Sequence, residues 1–336
     1  MKKILVTGGL GYIGSHTVVE LYEAGYETVI IDNLVNSRID VLDKLKELTK
    51  KDIKCYIGDC RDKELLRKIF KENEISGAIH FAGLKAVGES TTIPLDYYDN
   101  NIGSTLTLLE VMKEFNVKRI VFSSSATVYG TSQEVPLKET TPLGATNPYG
   151  RTKLFIEYIL KDLYKSDNEW EIAILRYFNP VGAHKSGLIG ERPNGTPNNL
   201  VPYIAEVAAG IRPFLRVWGN DYDTKDGTGV RDYIHVSDLA MGHVLSIKQL
   251  DKVHGLLIYN LGTGIGYSVL DVVKAFEKAS NMKVPYKFFD RRPGDIAICY
   301  ADPTKAKEEM GFVASRGIDE MMEDHWRFQK NLYIKK

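Results

Sequence analysis

A short apolar run that breaks into glycines and restarts as a helix leaves few folds open to a chain. Here Ile4-Leu5-Val6 runs into Thr7-Gly8-Gly9-Leu10-Gly11-Tyr12-Ile13-Gly14, and apolar residues then recur at helical spacing through Val18, Val19, Leu21 and Tyr22. The pattern reads strand, tight turn, helix. Glycines let the backbone turn sharply and approach a pyrophosphate, whose charge then lies at a helix N-terminus among free N–H groups. Alone, such a fingerprint is weak. A second strand, Thr28-Val29-Ile30-Ile31, strengthens it by ending at Asp32, where a carboxylate accepts hydrogen bonds from an adenosine ribose diol and repels a 2'-phosphate. That favours NAD over NADP. Arg38 argues the other way unless it is solvated, the commoner state of a loop arginine. The glycines satisfy both G-x-G-x-x-G from Gly9 and the wider G-x-x-G-x-x-G from Gly8.

The alternation continues. Apolar runs at 53–57, 78–81, 120–122 and 172–176 read as strands, with helical patterns at 62–70 and 102–115 between them. This predicts an α/β chain of Rossmann type, a doubly wound parallel sheet with helices on both faces and ligands beyond the C-terminal strand ends. Polar residues gather at those ends: Asp59 after the third strand, Phe81-Ala82-Gly83-Leu84-Lys85 after the fourth, and Asn100 ahead of the long helix. Asp59 suits an adenine contact and a helix cap equally, Phe81 also suits a core, and Lys85 a solvated loop. Past residue 176 the pattern loosens into loops rich in Gly, Pro and Asn over 179–199, which predicts a smaller C-terminal α/β lobe. Helices at 237–250 and 268–279, opening on serine caps, flank a strand at 257–261 that returns to the main sheet. The expected division is 1–176 with 237–262 for the dinucleotide domain, and 177–236 with 263–336 for the second lobe. The helix at 318–328 carries no evident chemistry.

Chemistry is concentrated in Asn147-Pro148-Tyr149-Gly150-Arg151-Thr152-Lys153. Proline ahead of an amphipathic run (Leu154, Phe155, Tyr158, Ile159) marks a helix start, so Tyr149 and Lys153 share one face. A free phenol is only about a thousandth ionised at neutral pH, and a nearby ammonium favours the phenolate. Tyr149 then becomes a base. Taken alone, the pair is more commonly a solvated surface contact. The fifth strand, however, ends in Ser123-Ser124-Ser125-Ala126-Thr127, and a strand-end hydroxyl there can bind the substrate oxygen whose proton Tyr149 removes. Ser125 is the chosen serine; turn preference explains one serine but not this arrangement.

Lys plus Arg (44) equals Asp plus Glu (44), so nucleic acid is disfavoured and phosphates must be held by local groups. Cys55, Cys60 and Cys299 lack metal-ligand or disulfide spacing, and the seven histidines do not cluster. No metal and a reducing compartment are expected. With no signal peptide and no apolar stretch of membrane length, the expected location is the cytoplasm.

Together, Thr7 to Gly14 with the wider glycine spacing, Ser123 to Gly130 and Tyr149 to Lys153 resemble the extended short-chain dehydrogenase/reductase family. Three longer strings resemble the UDP-glucose 4-epimerase family within it: His80-Phe81-Ala82-Gly83-Leu84-Lys85-Ala86-Val87-Gly88-Glu89-Ser90, Leu175-Arg176-Tyr177-Phe178-Asn179-Pro180-Val181-Gly182-Ala183-His184, and Asp226-Gly227-Thr228-Gly229-Val230-Arg231-Asp232-Tyr233-Ile234-His235. The likeness runs from the start to about Asp302. It implies interconversion of UDP-galactose and UDP-glucose by transient hydride transfer to tightly bound NAD through a 4-keto sugar. Tyr149 would act as base, Lys153 would grip the nicotinamide ribose and lower the phenol pKa, and Ser125 would hold the proton. The resemblance implies NAD contacts from Gly8, Gly11, Tyr12, Ile13, Gly14, Asp32, Asn33, Asn36, Asp59, Phe81, Ala82, Gly83, Lys85, Asn100, Ser125, Tyr149, Lys153 and Phe178. For the UDP-sugar it implies Lys85, Ser125, Tyr149, Asn179, Asn199, Leu200 and Asp295, with Arg231 and Arg292 at the diphosphate and Trp218 at the uracil. Trp218 suits plain core equally well. Family members commonly form homodimers through the helices at 102–115 and 149–164.

One departure bears on substrate range. Cys299 stands where narrow-specificity members resemble one another in having a tyrosine, and a thiol leaves room for an N-acetyl group unless Tyr300 or a loop shift refills the gap. Activity on UDP-N-acetylglucosamine and UDP-N-acetylgalactosamine is therefore expected too. A 4,6-dehydratase would want an acid right after the loop hydroxyl, and Ser125-Ala126-Thr127 has none. A pentose or uronate 4-epimerase is the nearer alternative, although a carboxylated sugar would need an extra cation with no evident candidate. A silent NAD-sensing protein would not need Ser125, Tyr149 and Lys153 together.

Overall fold

Along β1, Ile4 and Val6 belong to one hydrophobic cluster and Leu5 to another, the period of two expected when both faces of a strand are buried. The computed structural model describes residues 2–132, 134–292 and 294–333. Its strands are β1 (Lys3–Thr7), β2 (Glu27–Asp32), β3 (Lys54–Ile57), β4 (Ile75–His80), β5 (Arg119–Ser123), β6 (Glu171–Tyr177), β7 (Asn179–Val181), β8 (Leu215–Trp218), β9 (Val230–His235), β10 (Leu256–Leu261), β11 (Gly266–Ser268), β12 (Tyr286–Phe289) and β13 (Ile298–Cys299). Its α-helices are α1 (Tyr12–Glu23), α2 (Asp40–Thr49), α3 (Lys63–Glu72), α4 (Val87–Thr92), α5 (Pro94–Tyr98), α6 (Ser104–Glu114), α7 (Pro148–Ser166), α8 (Leu200–Ala208), α9 (Val236–Leu250), α10 (Val269–Ser280), α11 (Thr304–Met310) and α12 (Ile318–Tyr333).

The main sheet has the order β10-β6-β5-β4-β1-β2-β3, parallel throughout. The chain winds from β1 outward to β3, then restarts at β4 on the other side of β1. Ligands are expected where that direction reverses, at the C-terminal ends of β1 and β4. Helices α1 and α9 cover one face through Val18, Leu21, Val244 and Ile247, while α3, α6 and α7 cover the other through Ile69, Leu108 and Ile156. Strand β10 returns to the main sheet and pairs there with β6. A third cluster, built from α8, β8, α10 and α12 around Ile204, Val217, Phe276 and Met322, packs the second half of the chain.

Three expectations need correction. Helix α9 is capped by His235, whose Nδ1 accepts the Ser237 amide at 3.0 Å; Ser237 already lies inside the first turn. The long helix does not start at residue 102, because a π-helical turn, Asp99–Gly103, delays it to Ser104. Histidines distant in sequence do meet: His16 and His184 have ring centroids 6.4 Å apart, and His235 lies 3.3 Å from Asp324, next to His325 on α12. Burial holds His16 near a pKa of about 3 and His325 near about 4, so both are neutral packing groups. Among the described residues no group of His, Cys, Asp and Glu could hold a metal ion, and no helix is long and apolar enough to cross a membrane. All three cysteines are free thiols.

Candidate active site

The turn after β1 closes on Gly8, whose φ of +68° disfavours any side chain and whose Cβ would come within 3.1 Å of the Ala82 amide. Gly11 donates to the Gly8 carbonyl at 3.0 Å, and a Cβ on Gly14 would stand 2.3 Å from that same oxygen. The wider glycine spacing is thus the one that builds the turn; Gly9 instead packs on Ile30. Gly11 caps α1 without a side-chain acceptor, so the first-turn N–H groups, including those of Tyr12 and Ile13, keep the donors an anion needs. A cradle of this shape fits a pyrophosphate.

Asp32, at the end of β2 and 6% exposed, accepts from the Leu10 amide (3.0 Å), the Leu34 amide (2.9 Å) and the Ser37 hydroxyl (2.5 Å). Its carboxylate is therefore fixed in orientation beside the glycine turn. Asn33 and Asn36 are exposed in the following loop, and Arg38 turns to Asp40 at 3.4 Å instead of toward Asp32. The cap reading of Asp59 fails, since Asp62 caps α3 through the Leu65 amide; Arg61 grips Asp59 at 2.8 Å and holds its carboxyl below the usual range.

After β4, Phe81 packs on His243 at 4.7 Å and the Ala82 amide donates to the Thr7 hydroxyl at 3.1 Å. His80 bridges Thr7 (2.8 Å) and Thr105 (3.0 Å). Because Thr105 gives its proton to the Asn101 carbonyl, His80 must donate through Nε2 and accept through Nδ1, a neutral state that burial and Lys153 enforce by lowering its pKa to about 3. Asn101 fixes the next residues by a two-way bond to the Leu84 backbone, and a Cβ on Gly83 would touch it at 3.1 Å. Asn100, beside it on the π-helical turn, is half-buried and has no side-chain partner among the described residues. Lys85 reaches Glu191 at 2.9 Å.

Ser125, Tyr149 and Lys153 come together beyond β5. Asn147 caps α7 through the Gly150 amide at 2.8 Å with proline at its start, as the sequence implied. The Ser125 hydroxyl accepts from the Thr127 amide at 3.2 Å and the Thr127 hydroxyl at 3.0 Å, and the Lys153 ammonium lies 6.0 Å from the Tyr149 ring and 4.9 Å from the Phe122 ring, donating to the Ser123 carbonyl at 2.7 Å. The expected electrostatics differ. Burial pushes the phenol above its ordinary pKa, with the Tyr177 phenol adding to this and Ser125 opposing it, while burial lowers Lys153 to about 8. In the protein alone, desolvation outweighs the pull of an ammonium at that range.

Phe178 is buried in a cluster with Val128, Tyr129 and Leu154, and Asn179 is exposed on β7. Asn199 and the half-buried Leu200 open α8, with Asn199 donating to Glu191 at 2.6 Å. Asp295 joins the two arginines, lying 3.9 Å from Arg231 and 3.0 Å from Arg292. Arg291 is taken up by Asp221 and the Tyr222 ring. Trp218 ends β8 half-buried against Phe289 at 5.4 Å. Cys299 sits opposite Arg231 in the β13–β9 register, and burial lifts its thiol to about 11.

A family model described as GDP-mannose 4,6 dehydratase matches residues 5–325. The UDP-glucose 4-epimerase of Bacillus subtilis is 61% identical over 328 residues, 98% of this chain and 97% of its own. The chain belongs to the UDP-glucose 4-epimerase family. It is an enzyme, an isomerase by that membership. Among solved structures, the Bifidobacterium longum UDP-glucose 4-epimerase in complex with NAD+ and UDP superposes with a TM-score of 0.95 at 55% identity, covering 98% of both chains. The Stenotrophomonas maltophila UDP-glucose-4-epimerase with NAD and formylated UDP-arabinopyranose gives 0.97 at 47% identity, covering 99% of both. Polar residues that the fold gathers around the candidate site of this UDP-glucose 4-epimerase family member, and that sequence reasoning missed, are His80, Asn101, Tyr177 and Glu191. A lone polar residue in a strand or loop has no periodicity to reveal it, and only the partners gathered by the fold do.

Proposed function

We propose that this protein interconverts UDP-galactose and UDP-glucose at C4 with tightly held NAD. The observation that carries the reading is the gathering of Ser125, Tyr149 and Lys153 beyond β5, with the Lys153 ammonium 6.0 Å from the Tyr149 ring, on the same sheet edge as the glycine cradle. A C4 hydrogen beside an ordinary alcohol is not acidic enough to leave as a proton, so inversion requires oxidation, turning and reduction. Bound NAD supplies the hydride acceptor and returns the same hydride. Tyr149 takes the C4 hydroxyl proton, Ser125 holds the same oxygen, and Lys153 steadies the ribose and favours the phenolate. The fixed carboxylate of Asp32 and the outward turn of Arg38 support NAD over NADP. Arg231 and Arg292, joined by Asp295, would take the diphosphate, and Asn179, Asn199, Leu200 and Trp218 would line the remainder.

The substrate range extends to the N-acetylated sugars. Cys299 is only partly buried, and the Tyr300 ring lies 3.6 Å from where a Gly266 Cβ would stand, packed toward β11. Without added cofactor, wild-type protein should epimerise UDP-galactose and UDP-N-acetylgalactosamine with transient reduced-nicotinamide absorbance. Cys299→Tyr should lose the N-acetylated activity by about a hundredfold while keeping the first within about threefold. Equal effects on both sugars would remove the substrate-range claim, and inactivity of the wild type on UDP-galactose would remove the function.

A homodimer is proposed across α5, α6 and α7, where Leu95 (79% exposed), Leu106, Phe155 and Tyr158 form an outward apolar face. Sedimentation should give a dimer for the wild type and a monomer for Leu106→Glu with Phe155→Glu; a monomeric wild type at micromolar concentration would end the idea.

A further inference from the structure

We propose that Glu191 is a positioning residue that ties the dinucleotide side of the cleft to the sugar-nucleotide side; this rests on the function proposed above. Its side chain is 5% exposed, and a carboxylate that far from water is costly unless paired. Its partners come from opposite walls. One oxygen, Oε1, accepts both from the Lys85 ammonium at 2.9 Å, on the loop after β4, and from the Asn199 carboxamide at 2.6 Å, at the start of α8. Gln329 of α12 donates to the Glu191 carbonyl at 3.3 Å and so holds the backbone from behind.

The charge acts on both walls as well. The Lys85 side chain is exposed along its length, and the desolvation of its ammonium at the contact is outweighed by the charge of Glu191, so Lys85 stays protonated above its ordinary range. Glu191 also helps keep the Tyr12 phenol, at the first residue of α1, neutral and free to donate to the Gly182 carbonyl at 2.7 Å. A carboxylate serving stability alone would need no donors from the cleft. Here each donor is a residue that the substrate or the dinucleotide would use, and one shared oxygen makes their positions interdependent.

The test uses holoenzyme carrying its NAD, with UDP-galactose as substrate. Two readouts are taken: KM against kcat, and the first-order rate at which NAD is lost into excess unlabelled NAD. Glu191→Gln removes the charge while keeping the shape; it should raise KM about tenfold with kcat within about threefold, and speed NAD loss about fivefold or more. Glu191→Asp should recover part of both. The Glu191→Gln/Asn199→Ala double variant should lose NAD no faster than Glu191→Gln alone, because both remove the same link. Unchanged NAD loss in Glu191→Gln, or effects of the two substitutions on NAD loss that multiply, would overturn the proposal. If Glu191→Gln does not fold, the Lys85→Met and Asn199→Ala cycle decides: non-additive effects on NAD loss support the link, and additive ones overturn it. Wild type that holds no NAD and turns over no UDP-galactose would remove the function itself, an outcome distinct from a wild type that works and a Glu191 variant that behaves like it.

Discussion

Tyr149→Phe is expected to lower kcat for UDP-galactose by about a thousandfold, with KM within about threefold of wild type. The ring is 7% exposed and packed in the wall of the cleft, so removing one oxygen leaves the fold and the substrate contacts in place. What is lost is the proton acceptor. Burial places the phenol on the neutral side, Ser125 alone pulls it back, and Lys153 stands 6.0 Å from the ring with its own charge disfavoured. An environment poised in this way favours the phenolate only when positive charge is brought to it, so the oxygen matters in the transition state more than in the ground state. Steady-state kinetics with circular dichroism of both proteins checks the claim. A loss smaller than about tenfold would mean that another group takes the proton.

The framework was legible in the sequence because each of its features has a local cause. Gly8 to Gly14 announce the turn through backbone geometry, and Pro148 with Asn147 announces the start of α7. Ser268 does the same for α10, where the capping box with Asp271 is complete. Ser237 failed as a cap because the helix starts two residues earlier than its place requires, with His235 as the cap accepting the Ser237 amide itself, which depends on where β9 ends and not on local preference. The phenol's pKa was misjudged for a related reason. Spacing on a helix gives the separation of Tyr149 and Lys153, but it does not give their depth, and depth decides the sign. Glu191 was invisible because its loop has no period, and its partners lie in sequence at Lys85 and Asn199, on different elements. Arg231, Arg292 and Asp295 could be guessed from likeness, whereas the Asp295 bridge between them belongs to the fold.

Glu157→Gln is expected to cost about 3–5 kcal/mol of stability, the range for leaving a buried charge without its partner. Glu157 is fully buried one turn beyond Lys153 on α7, and Arg176 on β6 is 1% exposed. The Arg176 guanidinium gives two bonds to Glu157, at 2.9 and 2.6 Å, and two more to the Tyr129 hydroxyl and the Glu139 carbonyl. The Ser124 hydroxyl donates to the same carboxylate at 2.7 Å, so the pair also anchors the strand end that carries Ser125. Glutamine cannot neutralise the guanidinium, and its amide NH2 would face one of the donors. Replacing both partners, Glu157→Leu with Arg176→Met, removes the unpaired charge and should cost less than Glu157→Gln alone. Denaturant unfolding of the three proteins measures this. If the single and double variants lost the same stability, packing around α7 and not the ion pair would be holding Ser125 and Lys153 at their separation, and the loss of kcat accompanying each variant would then follow the volume removed instead of the charge.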